Sequence, residues 1–515
     1  MKNTSTYKFY QLAAILAIVF ASISCSDSFF QEPAGEMITP DQHYKSLTDV
    51  QTSAEGAIIP LQVMLPNLVM LDGLRSDMMD VTANADAYLQ AINNQSFTVD
   101  NPYLDPSGYY KVIINVNELL ANIDKVALID RNFDDFYLHY VKGGLIGLRG
   151  WSYLNLVRLY GKAAWITDNV TSVPENLQQN FLTKEVLIDT LINQIKPYIH
   201  DINAAIELAE LHIQNYPNTK ALLGELYLEK NDYANAITYL KMSCESYGNS
   251  TGMLKVDKGY TKEAWKNIFI NSEYGSTENI AQIPFSSTAG QVNPLPQWML
   301  YSDKFVVKPT QLLIDSFKTQ IPQAGKVLGD IYRGIGITFD TTSTGEPYIS
   351  KYSLDQGEPY STDIIFSRAA DVHLMLAEAL NRSGDSETAL ILLNAGFAGE
   401  KAKPAPYFKW SANLGVRGRA LLKARVVPDS INGEPLLDMA RTEYIEDLIM
   451  DERTLELAFE GKRWFDLVRV AKRRGTPEYL ANKVAAKFEA ADPAKASAIR
   501  SKLLNEANWY LPLSK

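Results

Sequence analysis

The chain has 515 residues, with 49 Lys and Arg against 60 Asp and Glu, for a formal net charge of −11. That balance leaves no basic stripe to follow a phosphate backbone and excludes nucleic acid as a partner. Two cysteines, Cys25 and Cys244, and five histidines scattered singly give neither a disulfide framework nor the spacing of a transition-metal site, and no cofactor is expected.

Residues 1–24 have the layout of a secretory leader: Lys2 and Lys8, an apolar run from Leu12 to Phe20, then small Ala21, Ser22 and Ser24. The run is too short to span a bilayer. It ends at Cys25, the position at which a bacterial lipoprotein is cut and acylated, so the mature chain is expected to start at a lipidated Cys25 and to be held to a membrane through that anchor. Losing Lys2 and Lys8 takes the formal charge from −11 to −13. Residues 25–38 are polar and turn-rich, which suits a flexible tether. Residues 39–515 then form the folded body, with Cys244 as a buried apolar residue of a helix.

Helical periodicity covers about 41–64, 108–125, 135–160, 184–212, 218–246, 364–396 and 441–473. Strands are expected only as short pieces, such as a hairpin from Ile335–Phe339 and Tyr348–Tyr352. Gly224, Tyr227, Ala236, Leu240 and Ser243 share the spacings 3, 9, 4 and 3 with Ala377, Leu380, Ala389, Leu393 and Gly396. That is the rhythm of tetratricopeptide helix pairs, at about 218–246 and 371–396. Small residues at such positions let two helices approach closely. The fold class is therefore mostly α, a helical scaffold interrupted by a loop-rich segment from about 247 to 362, and binding groups tend to sit on such loops.

Three stretches carry more information. Leu145 to Thr167 reads as an amphipathic helix with a stripe of Leu148, Trp151, Leu154, Leu156 and Tyr160, closed by Gly161. Phe366 to Leu380, followed by Asn-Arg-Ser-Gly-Asp, is a second helix. The third, Asp451 to Val470, contains Glu-Arg-Thr-Leu-Glu-Leu-Ala-Phe-Glu-Gly-Lys-Arg-Trp-Phe-Asp-Leu-Val-Arg. With the leader and a late Trp509-Tyr510-Leu511-Pro512, these stretches resemble the SusD/RagB family of outer-membrane nutrient-binding lipoproteins, in the family's order and over nearly the whole chain. The resemblance implies a non-catalytic protein, lipid-anchored on the outside of a Bacteroidetes outer membrane. It implies a ligand that is an oligosaccharide, or in some members a peptide, delivered to a SusC-like TonB-dependent transporter. It also implies that binding residues lie in the loop after Leu74, which points to Arg75, Tyr88 and Asn94.

On the residues alone, Glu452, Arg453, Glu456 and Glu460, and Arg463, Asp466 and Arg469, fall at helical spacing and are expected to pair at i to i+3 or i+4. Trp151, Trp464 and Phe465 are expected as core anchors. A sugar needs aromatic faces for its C–H surface and polar groups for its hydroxyls. The Pro-stiffened Pro294-Leu-Pro-Gln-Trp-Met-Leu-Tyr segment offers Trp298 and Tyr301 in fixed positions. Two other functions fit parts of the pattern: a secreted polymer hydrolase, from the many carboxylates, and a periplasmic scaffold of the tetratricopeptide type.

Overall fold

A computed structural model describes residues 43–167, 180–199, 216–246, 261–270, 278–300, 304–325, 327–354, 357–394 and 415–513. The leader, Cys25 and the tether lie outside the described residues, as do Tyr301, Gly396 and positions 200–212 of the fourth expected helix.

The described chain enters its first helix through a reciprocal cap. The Ser46 hydroxyl accepts the Asp49 N–H at 3.3 Å while Asp49 accepts the Ser46 N–H at 2.8 Å, which starts α1 (Leu47–Ile58). The helix expected over 41–64 is instead two, because Pro60 has no N–H for the Gly56 carbonyl and the chain restarts as α2 (Leu61–Arg75). A short strand β1 (Met79–Val81) and α3 (Ala87–Asn93) lead to α4 (Ser107–Ile129) and α5 (Asp135–Tyr160). The expected apolar stripe on α5 is not what forms: from Leu145 to Tyr160 the helix is buried all round. It lies among α4, α6 (Lys184–Ile195) and α7 (Thr219–Glu229), with Trp151 between Tyr109 and Phe366 at 6.3 and 4.9 Å. Its Arg158 is matched by Glu225 at 2.7 Å and by Glu229 at 2.7 Å, while buried Arg149 donates to the neutral amides of Asn117 at 2.6 Å and Gln194 at 3.1 Å. Gly161 closes α5 in the left-handed region at φ 77°, and Tyr510 packs against it, as the C-cap reading requires.

All strands among the described residues are short and pair in twos. A ribbon of β2 (Lys162–Ala164) and β3 (Phe181–Thr183) precedes α6. After α8 (Tyr233–Ser246), the loop-rich segment supplies α9 (Lys262–Ile270), β4 (Asn279–Ile283), α10 (Leu295–Met299), β5 (Val307–Pro309) and α11 (Gln311–Lys318). A hairpin does form there but closer to its turn than expected, from β6 (Phe339–Thr341) and β7 (Pro347–Ile349), which share only Phe339, Tyr348 and Ile349 with the expected strands. Within the expected helix 364–396, the first five residues are a strand, β8 (Ile364–Arg368). Ile364, Ile365 and Phe366 suit a pleated surface, and β4 supplies the partner.

The two tetratricopeptide-like pairs are α7 with α8 and α12 (Ala369–Arg382) with α13 (Ser386–Asn394), and α8 packs directly on α12. Their turns match atom for atom: Asp232 N donates to Tyr227 O at 2.9 Å, as Asp385 N does to Leu380 O. The residue before each aspartate is left-handed, Asn231 at φ 60° in one and Gly384 at φ 98° in the other. A Cβ on Gly224 would meet Leu240 at 2.4 Å, so the small residue there is what the helix approach demands. Cys244 on α8 is buried as expected.

The remaining helices are α14 (Val416–Arg419), α15 (Asp438–Glu456), α16 (Arg463–Arg474), α17 (Pro477–Ala486) and α18 (Pro493–Leu503). Positive φ at Phe459 (64°) and Gly461 (72°) breaks the helix expected over 441–473 into α15 and α16. The signature charges do pair, but the pairing is tertiary. Glu456 meets Arg333 and Arg368, each at 2.7 Å, and Arg419. Glu452 meets Arg333 at 2.8 Å and Arg417 at 2.5 Å, and Glu460 meets Arg368 at 2.8 Å and Lys351 at 2.7 Å. Arg453 holds Asp371 and Asp466 at 2.8 and 2.6 Å. Among these residues only Asp466 and Arg469 pair within one helix, at 2.8 Å. Burial alone would push the three glutamates up, yet the guanidinium groups outweigh it and keep them below the usual carboxylate range.

Candidate functional site

The loop after α2 is organised by polar side chains that cap its turns. Asp86 starts α3 by accepting the Leu89 N–H at 2.7 Å, which leaves its second oxygen outside the helix. Buried Asn101 accepts the Tyr103 N–H at 3.1 Å and donates to the Tyr88 carbonyl at 3.1 Å, so one amide sets the positions of both tyrosines. The free oxygen of Asp86 then accepts the Tyr103 hydroxyl at 3.2 Å. Burial first, and the Asp86 charge second, push Tyr103 up to about 12, so it remains a neutral donor.

The distant segment around Trp298 is brought to this loop by backbone pairing. β1 and β5 pair antiparallel from Met79↔Pro309 to Val81↔Val307. The contact continues with Thr82 N donating to Val306 O at 2.9 Å and the Thr82 hydroxyl to Phe305 O at 2.6 Å. Val306 in turn donates to the Trp298 carbonyl at 2.9 Å, and Asn293, buried and bonded to Thr362 O at 2.7 Å, fixes the start of α10. The result is an edge-to-face pair of Tyr103 and Trp298, ring centroids 6.3 Å apart at 73°, on the same loop system as Tyr88. Tyr88 is 42% exposed, and Trp298 and Tyr103 are half-buried.

Not every expected ligand residue reaches this surface. Arg75 is fully buried and belongs to the scaffold, which corrects the expectation for it. Its guanidinium donates to the Trp509 carbonyl at 2.9 Å and stacks 3.9 Å over Trp464, and burial pulls its pKa to about 9. Asn94 is the C-cap of α3, half-buried, with an Oδ1 that has no hydrogen-bond partner. Tyr301 lies outside the described residues. Tyr103, Asp86 and Asn101 are not among the expected ligand contacts, although Tyr103 is one of the tyrosines of the same loop. The Asn101-Pro102 turn just before Tyr103 was the local signal for a rigidly held ring.

Carboxylates of the kind a hydrolase uses are not spare in the signature region. Glu456 and Glu460 have their oxygens committed to arginine and lysine in a buried site, which removes them as proton donors to a substrate.

Residues 339–515, which contain α12, the buried carboxylates of Glu452, Glu456 and Glu460 and the C-terminal tail, match the model of the SusD family. SusD-like protein P2 of Formosa agariphila is 22% identical over 90% of this chain and 91% of its own. The C-terminal third of the chain thus matches the SusD family, and the likeness to a SusD-like relative runs over nine-tenths of the chain. Solved SusD-type structures share the fold. A SusD superfamily protein from Bacteroides vulgatus superposes with a TM-score of 0.65 at 18% identity, covering 91% of this chain and 95% of that one. A structure described as a laminarin-binding SusD-like protein superposes at 0.59 with 19% identity, covering 87% and 94%. The chain shares the SusD fold, which accounts for the helical body and its two tetratricopeptide-like pairs.

Proposed function

We propose that this SusD-like chain is a surface-exposed outer-membrane lipoprotein, anchored through Cys25 and a tether over residues 25–38. It binds an oligosaccharide on the face formed by Tyr88, Tyr103 and Trp298, without catalysing a reaction, and delivers it to a SusC-like TonB-dependent transporter. The observation that carries the binding site is the edge-to-face Tyr103–Trp298 pair, built from segments almost 200 residues apart beside an exposed Tyr88. Rings held by Asn101, Asp86 and the β1–β5 ribbon lose little entropy when a ligand arrives. Aromatic faces pack on the C–H face of a pyranose, and exposed Asp86 and Asn84, the latter held by its amide donating to Phe305 O at 3.3 Å, serve its hydroxyls. The laminarin-binding relative supports a glucan as the first ligand to try.

The test is calorimetric titration of the mature chain with laminarin oligosaccharides, other neutral oligosaccharides and a peptide panel, repeated with Trp298→Ala and Tyr88→Ala. Saccharide binding that both variants weaken supports the site. Peptide binding alone would move the ligand class, and saccharide affinity unchanged in both variants would remove the site. Cys25→Ala, followed by fractionation and protease shaving of intact cells, tests anchor and exposure. Recovery of no TonB-dependent barrel in native pull-downs would sink the delivery role.

A further inference from the structure

A cleft of about 400 Å³ lies between α11, α15 and α17, at the opposite end of the β1–β5 ribbon from Trp298. Thr310 marks that end, its N–H donating to Met78 O at 2.9 Å and its hydroxyl to Asp77 O at 2.7 Å. The three paired residues of the ribbon set the cleft roughly 10 Å of strand away from the aromatic patch. No residue named for the aromatic site lines it.

Its wall carries two guanidinium groups that the fold leaves incompletely matched. Arg463, only 3% exposed, holds Asp77 through Nε and Nη2 at 2.8 and 2.7 Å, and its Nη1 is buried with no hydrogen-bond partner. Arg425 comes from a separate segment whose backbone is fixed by Asn394 at 2.8 and 3.1 Å, and its Nε is likewise buried without a partner. Buried donors are normally satisfied, and charged ones most of all. Burial first, and then the like charge of Arg417, pull the pKa of Arg425 down against the opposing pull of Glu452 and Asp451.

The rest of the wall suits a hydroxylated molecule. The Ser316 and Thr454 hydroxyls each donate to a backbone carbonyl one turn back, at 2.8 Å, which leaves their lone pairs as acceptors. Asp451 adds an exposed carboxylate, 4.0 Å from the Lys483 amine, and Leu312 adds an exposed apolar face. The volume lies within the range of small-molecule sites.

We propose that this cleft is a second, charge-selective saccharide site, in which Arg425 and Arg463 receive the carboxylate or sulfate of an acidic sugar while Asp451 and the wall hydroxyls take its hydroxyl groups. The saccharide class rests on the nutrient-binding function proposed above; the demand for an anion rests on the two arginines alone.

The test is titration of the mature chain at low ionic strength with glucuronic acid, glucose 6-sulfate, glucose and sodium sulfate. At least one acidic sugar is expected to bind about tenfold or more tightly than glucose and than sodium sulfate. Arg425→Gln is expected to lose that binding about tenfold with its melting temperature kept, Lys483→Gln to lose less, and Trp298→Ala to lose none. Glucuronic acid against glucose 6-sulfate decides which anion is preferred. Acidic sugars binding no better than glucose, sodium sulfate binding as well as either, or unchanged affinity in Arg425→Gln would overturn the proposal. Should Arg425→Gln fail to fold, unchanged affinity in Lys483→Gln overturns it instead. Because Trp298→Ala reports only on the aromatic face, failure of one site is distinguishable from failure of the other.

Discussion

The buried charges around α15 and the aromatic face around Trp298 are both built from residues far apart in the chain, yet they are opposites in every physical respect. In the first, Glu456 is enclosed by Arg333, Arg368 and Arg419, with side chains at most 2% exposed, and all of its capacity is used inside the fold. In the second, Tyr88 and Trp298 are held by neighbours but keep surface in solvent, so their capacity is left for something else. The difference teaches that the most recognisable motif in this chain reports on assembly of the body, while the residues proposed to face the ligand lie where the sequence is least distinctive.

That contrast can be broken most forcefully at its centre. Glu456→Ala strips three guanidinium groups of a shared partner, and removing one member of a buried ion cluster costs about 3–5 kcal/mol. Urea unfolding should show that loss, with ligand affinity of the folded fraction unchanged; a loss under about 1 kcal/mol would mean the cluster is not what orders the body.

Acid should act on the same region. Burial pushes the Glu378 carboxyl up, but Arg469 and Arg473 outweigh it and hold it at about 2 against its ordinary 4.5. The folded value lies below the unfolded one, so this contribution is complete above about 4.5 and is lost as the pH falls toward 2. Unfolding free energies measured at steps from about pH 6 to about pH 3 should decline, and Glu378→Gln should decline less steeply.

On the aromatic face the expected pattern reverses. Trp298→Ala is predicted to weaken saccharide binding about tenfold, near 1.4 kcal/mol, with a melting temperature close to the parent's, because the ring is half-buried and the backbone bond to Val306 remains. Equal losses of affinity and stability there would erase the distinction between the two regions. The smallest effect is expected from Tyr103→Phe. It removes one hydrogen bond to Asp86, worth about 0.5–1.5 kcal/mol at most, and calorimetry should find it mainly as a less favourable binding enthalpy.

Local signals carried a good part of the architecture. The shared spacing of Gly224 and Ala377 located two helix pairs whose turns have the same hydrogen bonds, because a turn of that kind depends on a few adjacent residues. Gly161 was legible as a C-cap for the same reason. What went astray depended on neighbours. Periodicity cannot say that Ile364–Arg368 will find β4 as a partner, nor that α5 will be enclosed on all sides, nor that Phe459 and Gly461 will reverse the chain inside a charged helical pattern. Arg75 shows this for the candidate site: its place after α2 suggested a ligand contact, and the C-terminal tail closing over it made it part of the core.

By itself, then, the sequence determined the mostly helical class, the two helix pairs, the core roles of Trp151, Trp464 and Phe465, and the likeness to SusD proteins, since each rests on short-range spacing and composition. Only the tertiary structure decided which arginine answers which carboxylate, that Tyr103 rather than Arg75 stands beside Trp298, and that Arg425 and Arg463 share a cleft. Those outcomes depend on segments from tens to hundreds of residues apart meeting through backbone pairing and desolvated charge, and no local pattern encodes such a meeting.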